Sequence, residues 1–288
     1  MNILFVNPDI HAKNLNAFTK YNIIITSVYN ANLDTIDLSK YDVVYSPSYP
    51  IDVSKYPGVK FIFGPHFSVF PDQTQMKMIE GKHTVYIQPS EWVKHFWQKN
   101  QYCNNINISV LPFGVDTVRF NEIIPISQRK MVFIYFKRRM PSELNTLYNF
   151  LVNLGFHPLI FDYVKHYNEV DYVNCLHNSK FGVWLDAHES QGFALQEALA
   201  CNVPLLVWNI CSMNQEFGSR YPDIAASTIP YWNDNCGEYF TDVSELKPTF
   251  DKLIRNLDTY KPREFILENL SIEKCSAKFI DLVNNIQS

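Results

Sequence analysis

Apolar residues along the chain gather in short runs bounded by turn residues. In the first half the runs fall at 3–7, 23–28, 43–46, 59–64, 84–88 and 108–112, and in the second half at 131–136, 158–162, 181–185 and 204–208. Most are continuous rather than alternating, as expected of strands buried on both faces of a parallel sheet. Helical periodicity separates them at 142–154, 167–178 and 194–201, and two further helices are predicted at 243–257 and 262–286, with Pro262 suited to a first turn. Strand-helix-strand repetition predicts βαβ units and an α/β fold. Two such blocks meet at 112–127, where Pro112-Phe113-Gly114-Val115-Asp116 leads into a stretch rich in turn residues. The predicted domains are therefore 1–118 and 119–265, with a C-terminal helix at 266–288 able to pack back on the first domain.

Composition narrows the function classes. Hydrophobic residues make up 47% of the 288 and aromatics 15%, enough for a large core and inconsistent with a disordered chain. The formal net charge is -4, with ten basic and nine acidic residues before Asn121 and fifteen and twenty from there on. Neither half has the basic balance of a nucleic-acid binder. Nothing approaches the roughly 20 apolar residues of a membrane span, though peripheral membrane contact stays open. The six cysteines form no CxxC and no zinc-finger spacing, which suits free thiols in a reducing compartment. The apolar N-terminus is too short for a signal peptide, so a cytoplasmic location is expected.

The segment from His188 to Pro204 is the most informative. It joins two buried strands and places a loop and a helix start at the carboxyl end of the first, where α/β folds bind ligands. Gly192 allows close backbone approach. The amides of Gly192, Phe193 and Ala194 at a helix start suit a diphosphate. Glu189 in the loop and Glu197 in the helix can accept hydroxyl protons from a ribose or another sugar. This pattern resembles the E-x7-E signature of retaining glycosyltransferases of family four. The continuation Ala198-Leu199-Ala200-Cys201-Asn202-Val203-Pro204 resembles the family's E-A-x-A-x-G-x-P, with Asn202 in place of Gly; both residue types tolerate positive φ. Pro112-Phe113-Gly114-Val115-Asp116-Thr117, with Phe120 after it, is similar to the family's linker, and Pro89-Ser90-Glu91-Trp92 to its strand-end serine and following helix, with Ser90 as the expected cap. The resemblance runs from Thr84 to Phe240 and weakens outside it.

That resemblance implies two Rossmann-like βαβ domains facing each other across a cleft, the GT-B arrangement, in a compact version. It implies sugar transfer from a nucleoside-diphosphate sugar to a glycan or other hydroxyl acceptor, with retained configuration. Glu189 would contact the donor sugar and Glu197 the ribose. The family's phosphate clamp, G-R-x-x-P-x-K, aligns on Pro141, which puts Arg138 at the Arg but Glu143 at the Lys; Lys137 or Arg139 is then the expected source of the second positive charge. His66, after the run at 59–64, is the expected contact of the donor sugar. No D-x-D occurs, so neither metal nor other cofactor is expected. The family's Gly-rich loop after the first strand is missing, replaced by Asn7-Pro8-Asp9-Ile10-His11. That departure and Glu143 keep an inactive nucleotide-sugar-binding or glycan-binding subunit in play, and a nucleotide-sugar epimerase on the same fold is a further alternative.

Overall fold

The structure, a computed structural model, describes residues 1–287. It divides into two compact units, Met1–Gly114 together with the stretch from Ile272, and Val115–Ser271. Each contains one wholly parallel sheet. In the first unit the strands are β1 (Asn2–Val6), β2 (Ile24–Val28), β3 (Val43–Ser46), β4 (Phe61–Phe63), β5 (Thr84–Gln88) and β6 (Ile108–Val110), in the order β2-β1-β3-β4-β5-β6. In β3 and β5 every residue is buried, because both faces of an inner strand enter the core. Helices α1 (Ala12–Phe18), α2 (Gln73–Ile79) and α3 (Glu91–Gln98) follow β1, β4 and β5.

The second unit carries β7 (Met131–Lys137), α4 (Pro141–Asn153), β8 (Leu159–Asp162), α5 (Glu169–Asn178), β9 (Ser179–Asp186), α6 (Phe193–Ala200), β10 (Leu205–Trp208), β11 (Gly237–Phe240), α7 (Leu246–Arg255) and α8 (Pro262–Asn269), with strand order β11-β10-β9-β7-β8. Alternate residues of β7 feed opposite cores. Phe133 and Tyr135 pack with Trp184 and Leu199 on one face, Val132, Ile134 and Phe136 with Leu147 and Phe250 on the other. That two-sided burial explains the unbroken apolar run. The Tyr135 and Trp184 rings stack with centroids 4.1 Å apart.

Both sheets reverse their winding. The chain runs from β7 out to β8 and then returns to the other side of β7 as β9; β1 is likewise flanked by β2 and β3. The connections leaving β7 and β9, and those leaving β1 and β3, therefore diverge at the carboxyl ends of the strands, where a sheet of this kind leaves a crevice for a ligand.

Several sequence expectations need correction. The helix expected at 262–286 is two, α8 and α9 (Ile272–Asn285), because the chain changes units between them. At the break Val115 N–H donates to the Leu270 carbonyl, 2.8 Å, and Val115 bridges Ser271. Gly114 is required there, since a Cβ would lie 2.4 Å from the Ile272 Cα. The units thus end at Gly114 and Ser271 rather than at 118 and 265. α9 packs on the first unit through Phe279, whose ring meets those of Phe18, Tyr21 and Tyr45. The short helices α1 and α2, and β11, were not expected. β11 opens with Gly237 against Leu205, where any Cβ would meet the Leu205 carbonyl oxygen at 2.1 Å, so an apolar run could not announce its start. Asn202 takes φ +58°, the left-handed value for which it was expected to substitute for Gly.

Candidate functional site

The switch point of the second unit collects most of the expected residues. Lys137 ends β7 and Asp186 ends β9, and the two are paired in register. Lys137 Nζ lies against the Glu189 carboxylate, 3.9 Å from Asp186 Oδ2 and 4.7 Å from the centroid of the Tyr163 ring. Burial by itself would lower the Lys137 pKa, but the Asp186 and Glu189 carboxylates outweigh it and hold the ammonium firmly charged. Burial raises the Asp186 pKa well above the usual carboxylate range, against the pull of Lys137. For Glu189 burial acts the same way, yet Lys137 and a hydrogen bond with Asp186 turn the balance and keep it ionised.

Glu189 is fixed through its backbone, whose N–H donates to the Ser227 carbonyl at 3.0 Å. Three residues later Gly192 turns the chain into α6 at φ +81°. The nearest atom to a Cβ there would be 3.6 Å away, so Gly is demanded by the left-handed backbone and not by crowding. Phe193 and Ala194 form the first turn, whose amides have no acceptor within the helix. The Tyr172 hydroxyl from α5 donates to the Ala194 carbonyl at 2.8 Å, and Gln196 Nε2 to the Gln191 carbonyl at 2.6 Å, which pin the turn. The far end of α6 is held by two arginines. Arg263 donates to the Ala200 carbonyl and Arg129 to those of Cys201 and Asn202. Glu197 is buried, 5% exposed, on the side of Tyr167 and Tyr172, whose hydroxyls are kept protonated chiefly by burial and in lesser part by its carboxylate.

The two arginines that follow β7 take separate roles. Arg138 adopts φ +51°, leaves its side chain 49% exposed, and pairs with Glu216 at 3.2 Å. Its carbonyl accepts the Phe217 N–H at 2.8 Å. Glu216 also accepts from the Ser219 hydroxyl and lies 3.3 Å from His188 Nδ1. Arg139, expected at the donor phosphates, turns the other way. Its guanidinium is 1% exposed, binds both oxygens of Glu143 at 3.0 and 2.6 Å, and donates to the Asp186 and Trp208 carbonyls. Glu143 in turn accepts the Met140 N–H at the start of α4. The carboxylate that stood in place of the family's Lys is thus the partner of a buried arginine and accepts the N–H at the start of α4.

His66 belongs to the first unit, just past β4. Gly64 precedes it at φ +85°, with no room for a Cβ beside the Ile87 carbonyl and Tyr86 ring. The His66 N–H donates to the Pro47 carbonyl beyond β3, and Asn14 Nδ2 of α1 donates to His66 Nε2 at 3.0 Å. An acceptor Nε2 requires the neutral ring. Burial pushes its pKa down to about 4, His11 in the same direction, and Asp9 only partly opposes them. The segment replacing the Gly-rich loop sits alongside. Asn7 supplies a left-handed turn at φ +44°, and the Asp9 carbonyl accepts the Ser48 hydroxyl.

Sequence reasoning missed Asp186, Glu216 and Asn14. Asp186 carried a signal, since a carboxylate ends an otherwise apolar strand. Ser90 stands where the helix cap was expected but makes no cap hydrogen bond; its hydroxyl and the Gln88 amide nitrogen are buried without a partner past the end of β5. Among the described residues no group of three His, Cys, Asp or Glu is arranged to hold a metal ion, and no helix is long and apolar enough to cross a membrane.

No protein-family model matches the chain, and no curated protein matches it in sequence. Solved structures do match it over nearly its whole length. A glycosyltransferase involved in avilamycin A biosynthesis, AviGT4, superposes with a TM-score of 0.58 at 12% identity, covering 99% of this chain and 98% of its own. The N-terminal domain of Candida albicans trehalose-6-phosphate phosphatase gives 0.62 at 10%, covering 100% and 97%. Sucrose-phosphate synthase of Thermosynechococcus elongatus gives 0.59 at 9%, covering 99% and 98%. With one parallel sheet and its helices in each of two domains, the chain has the GT-B fold of glycosyltransferases.

Proposed function

We propose that the protein is a retaining, metal-independent glycosyltransferase that moves a sugar from a nucleoside-diphosphate sugar to a glycan or other hydroxyl acceptor in the cytoplasm. The observation that carries this reading is the meeting of Lys137 and Glu189 at the switch point, beside the left-handed Gly192 that opens α6. The first-turn amides of α6 and the charges of Lys137 and Arg138 would receive the diphosphate, each cation leaving its carboxylate partner. Glu197 would accept from the ribose hydroxyls and Glu189 from the donor sugar. The neutral His66 suits a hydrogen bond to a sugar hydroxyl better than a phosphate charge.

In the reaction the bond from the anomeric carbon to the leaving phosphate oxygen breaks and a bond to the acceptor oxygen forms on the same face. The acceptor proton passes to the departing phosphate, so no enzyme nucleophile is needed. Amides and cations already in place stabilise the charge that develops on the leaving group.

The test is a thermal-shift screen against UDP, GDP, ADP, CMP and their sugars, with and without magnesium. A ligand at a hundred times its Kd adds about 2.7 kcal/mol. The expected outcome is stabilisation by one nucleoside diphosphate, equal in chelator, and weakened by about 1–3 kcal/mol in Glu197→Ala. Stabilisation that strictly needs magnesium would overturn the metal-free mechanism. Binding without transfer to any acceptor would leave the inactive-subunit reading in its place, and donor conversion without an acceptor the epimerase.

A further inference from the structure

Lys137 faces two carboxyl groups at once. Asp186 and Glu189 share one ammonium in a place nearly closed to water, with side-chain exposures of 2% and 17%. Two ionised carboxylates against a single cation would leave an uncompensated buried charge, so one of them carries a proton. The deeper one is Asp186. Its Oδ1 accepts the Ala187 N–H at 2.7 Å, which leaves the other oxygen on the side of Lys137. The backbone of Asp186 is fixed as well. Its carbonyl accepts from Arg139 Nη1 at 3.2 Å and from the Thr228 hydroxyl at 3.2 Å. The group is therefore rigid, while Lys137 is a flexible stem.

We propose that Asp186 is a positioning residue, whose carboxyl donates a hydrogen bond to Glu189 and holds that carboxylate in one orientation at the end of β9. The inference rests on the transfer reaction assigned above and adds a residue to it. When Lys137 turns toward a diphosphate, Glu189 loses its ion pair but keeps this hydrogen bond, so its orientation toward the sugar survives donor binding. Burial, which raises the Asp186 pKa, and the opposing pull of Lys137 and Asp186 on Glu189 agree with this division of one proton between two acids. The charged and titratable groups facing Asp186 are Lys137 and Tyr135 from β7, Glu189 from the loop after β9, and Arg139 from the turn after β7, whose guanidinium donates to the Asp186 carbonyl.

Asp186→Asn keeps a donor at this place and Asp186→Ala removes it. Infrared difference spectra of the unliganded protein at neutral pH should show the carbonyl stretch of a protonated carboxyl that Asp186→Asn lacks. In transfer assays Asp186→Asn should stay within about three-fold of the parent, while Asp186→Ala loses roughly 10- to 100-fold in kcat with little change in nucleotide Kd. The parent's rate should fall as pH rises through the raised Asp186 pKa, and that alkaline limb should vanish in Asp186→Asn. Absence of the infrared band, or equal damage from both variants, overturns the proposal. The band is read without donor, so it decides the matter even if no sugar is transferred, and in that case it is the transfer reading that fails.

Discussion

The two sheets reverse at comparable places, yet their carboxyl ends carry opposite chemistry. At the end of β7 and β9 the side chains are charged and paired: Lys137 with Glu189, Arg138 with Glu216. Past β4 and β5 the buried side chains are uncharged, with the Asp9 carboxylate after β1 the nearby exception: a neutral His66 held by Asn14, with the Gln88 amide nitrogen and the Ser90 hydroxyl buried and unpartnered. Paired charges of this kind suit an anion, because a cation already held in place can exchange its carboxylate for a phosphate. Uncharged donors and acceptors suit hydroxyl groups. One topology thus carries two kinds of side-chain chemistry, and substitutions that erase the contrast test whether it matters.

The largest effect is expected from Lys137→Met. It strips the charged edge of its buried cation and leaves Glu189 and Asp186 facing each other. Transfer should fall by roughly 10²–10³-fold, the range for losing one preorganised group at developing charge. Single-turnover transfer at saturating donor measures it, and a loss below about ten-fold would remove Lys137 from the leaving-group side.

Arg139 sharpens the comparison because it lies at the same edge with its guanidinium buried against Glu143 and two strand-end carbonyls. Arg139→Met should cost about 2–3 kcal/mol of stability, since it leaves the Glu143 carboxylate and two strand-end carbonyls short of their donor. Nucleotide affinity of the folded variant should stay as it was. Denaturant unfolding with calorimetry of nucleotide binding reads both, and a large loss of affinity at normal stability would return Arg139 to the phosphates.

These two lysine and arginine positions also mark how far the sequence could be read. The buried parallel strands were legible because two-sided burial leaves continuous apolar runs, and the loop before α6 because Glu189, Gly192 and Glu197 keep fixed offsets. The direction of a side chain was not. Arg138 and Arg139 are adjacent and chemically equal in sequence. Only the left-handed backbone at Arg138 sends one outward and the other beneath the sheet edge. Glu143 looked like a defect in a phosphate clamp for the same reason: its partner is Arg139, four residues back and just before α4, and that pairing depends on which way the arginine turns. The split between α8 and α9 was hidden because each helix continues the periodicity of the other, while the change of unit is made by Leu270 and Ser271 pairing with Val115.

The smallest effect concerns the uncharged edge. His66 has a folded pKa of about 4 against an ordinary value near 6.5. Between those values the unfolded chain takes up a proton that the native ring refuses, so stability contributed by the neutral ring is present above about pH 6.5 and drains away as pH falls toward 4. In His66→Gln that contribution is absent at every pH. His177 and His188, whose pKa values burial also lowers, titrate alike in both proteins and cancel in the difference. The parent should therefore lose about 1–2 kcal/mol more than the variant between pH 7 and pH 4, in line with a partly buried site. Urea midpoints of both proteins across that range measure it. If the two fall in parallel, the native His66 ring takes up a proton as readily as the unfolded chain does, the Asn14 hydrogen bond does not hold it neutral below about pH 6.5, and the uncharged edge exists only above that pH.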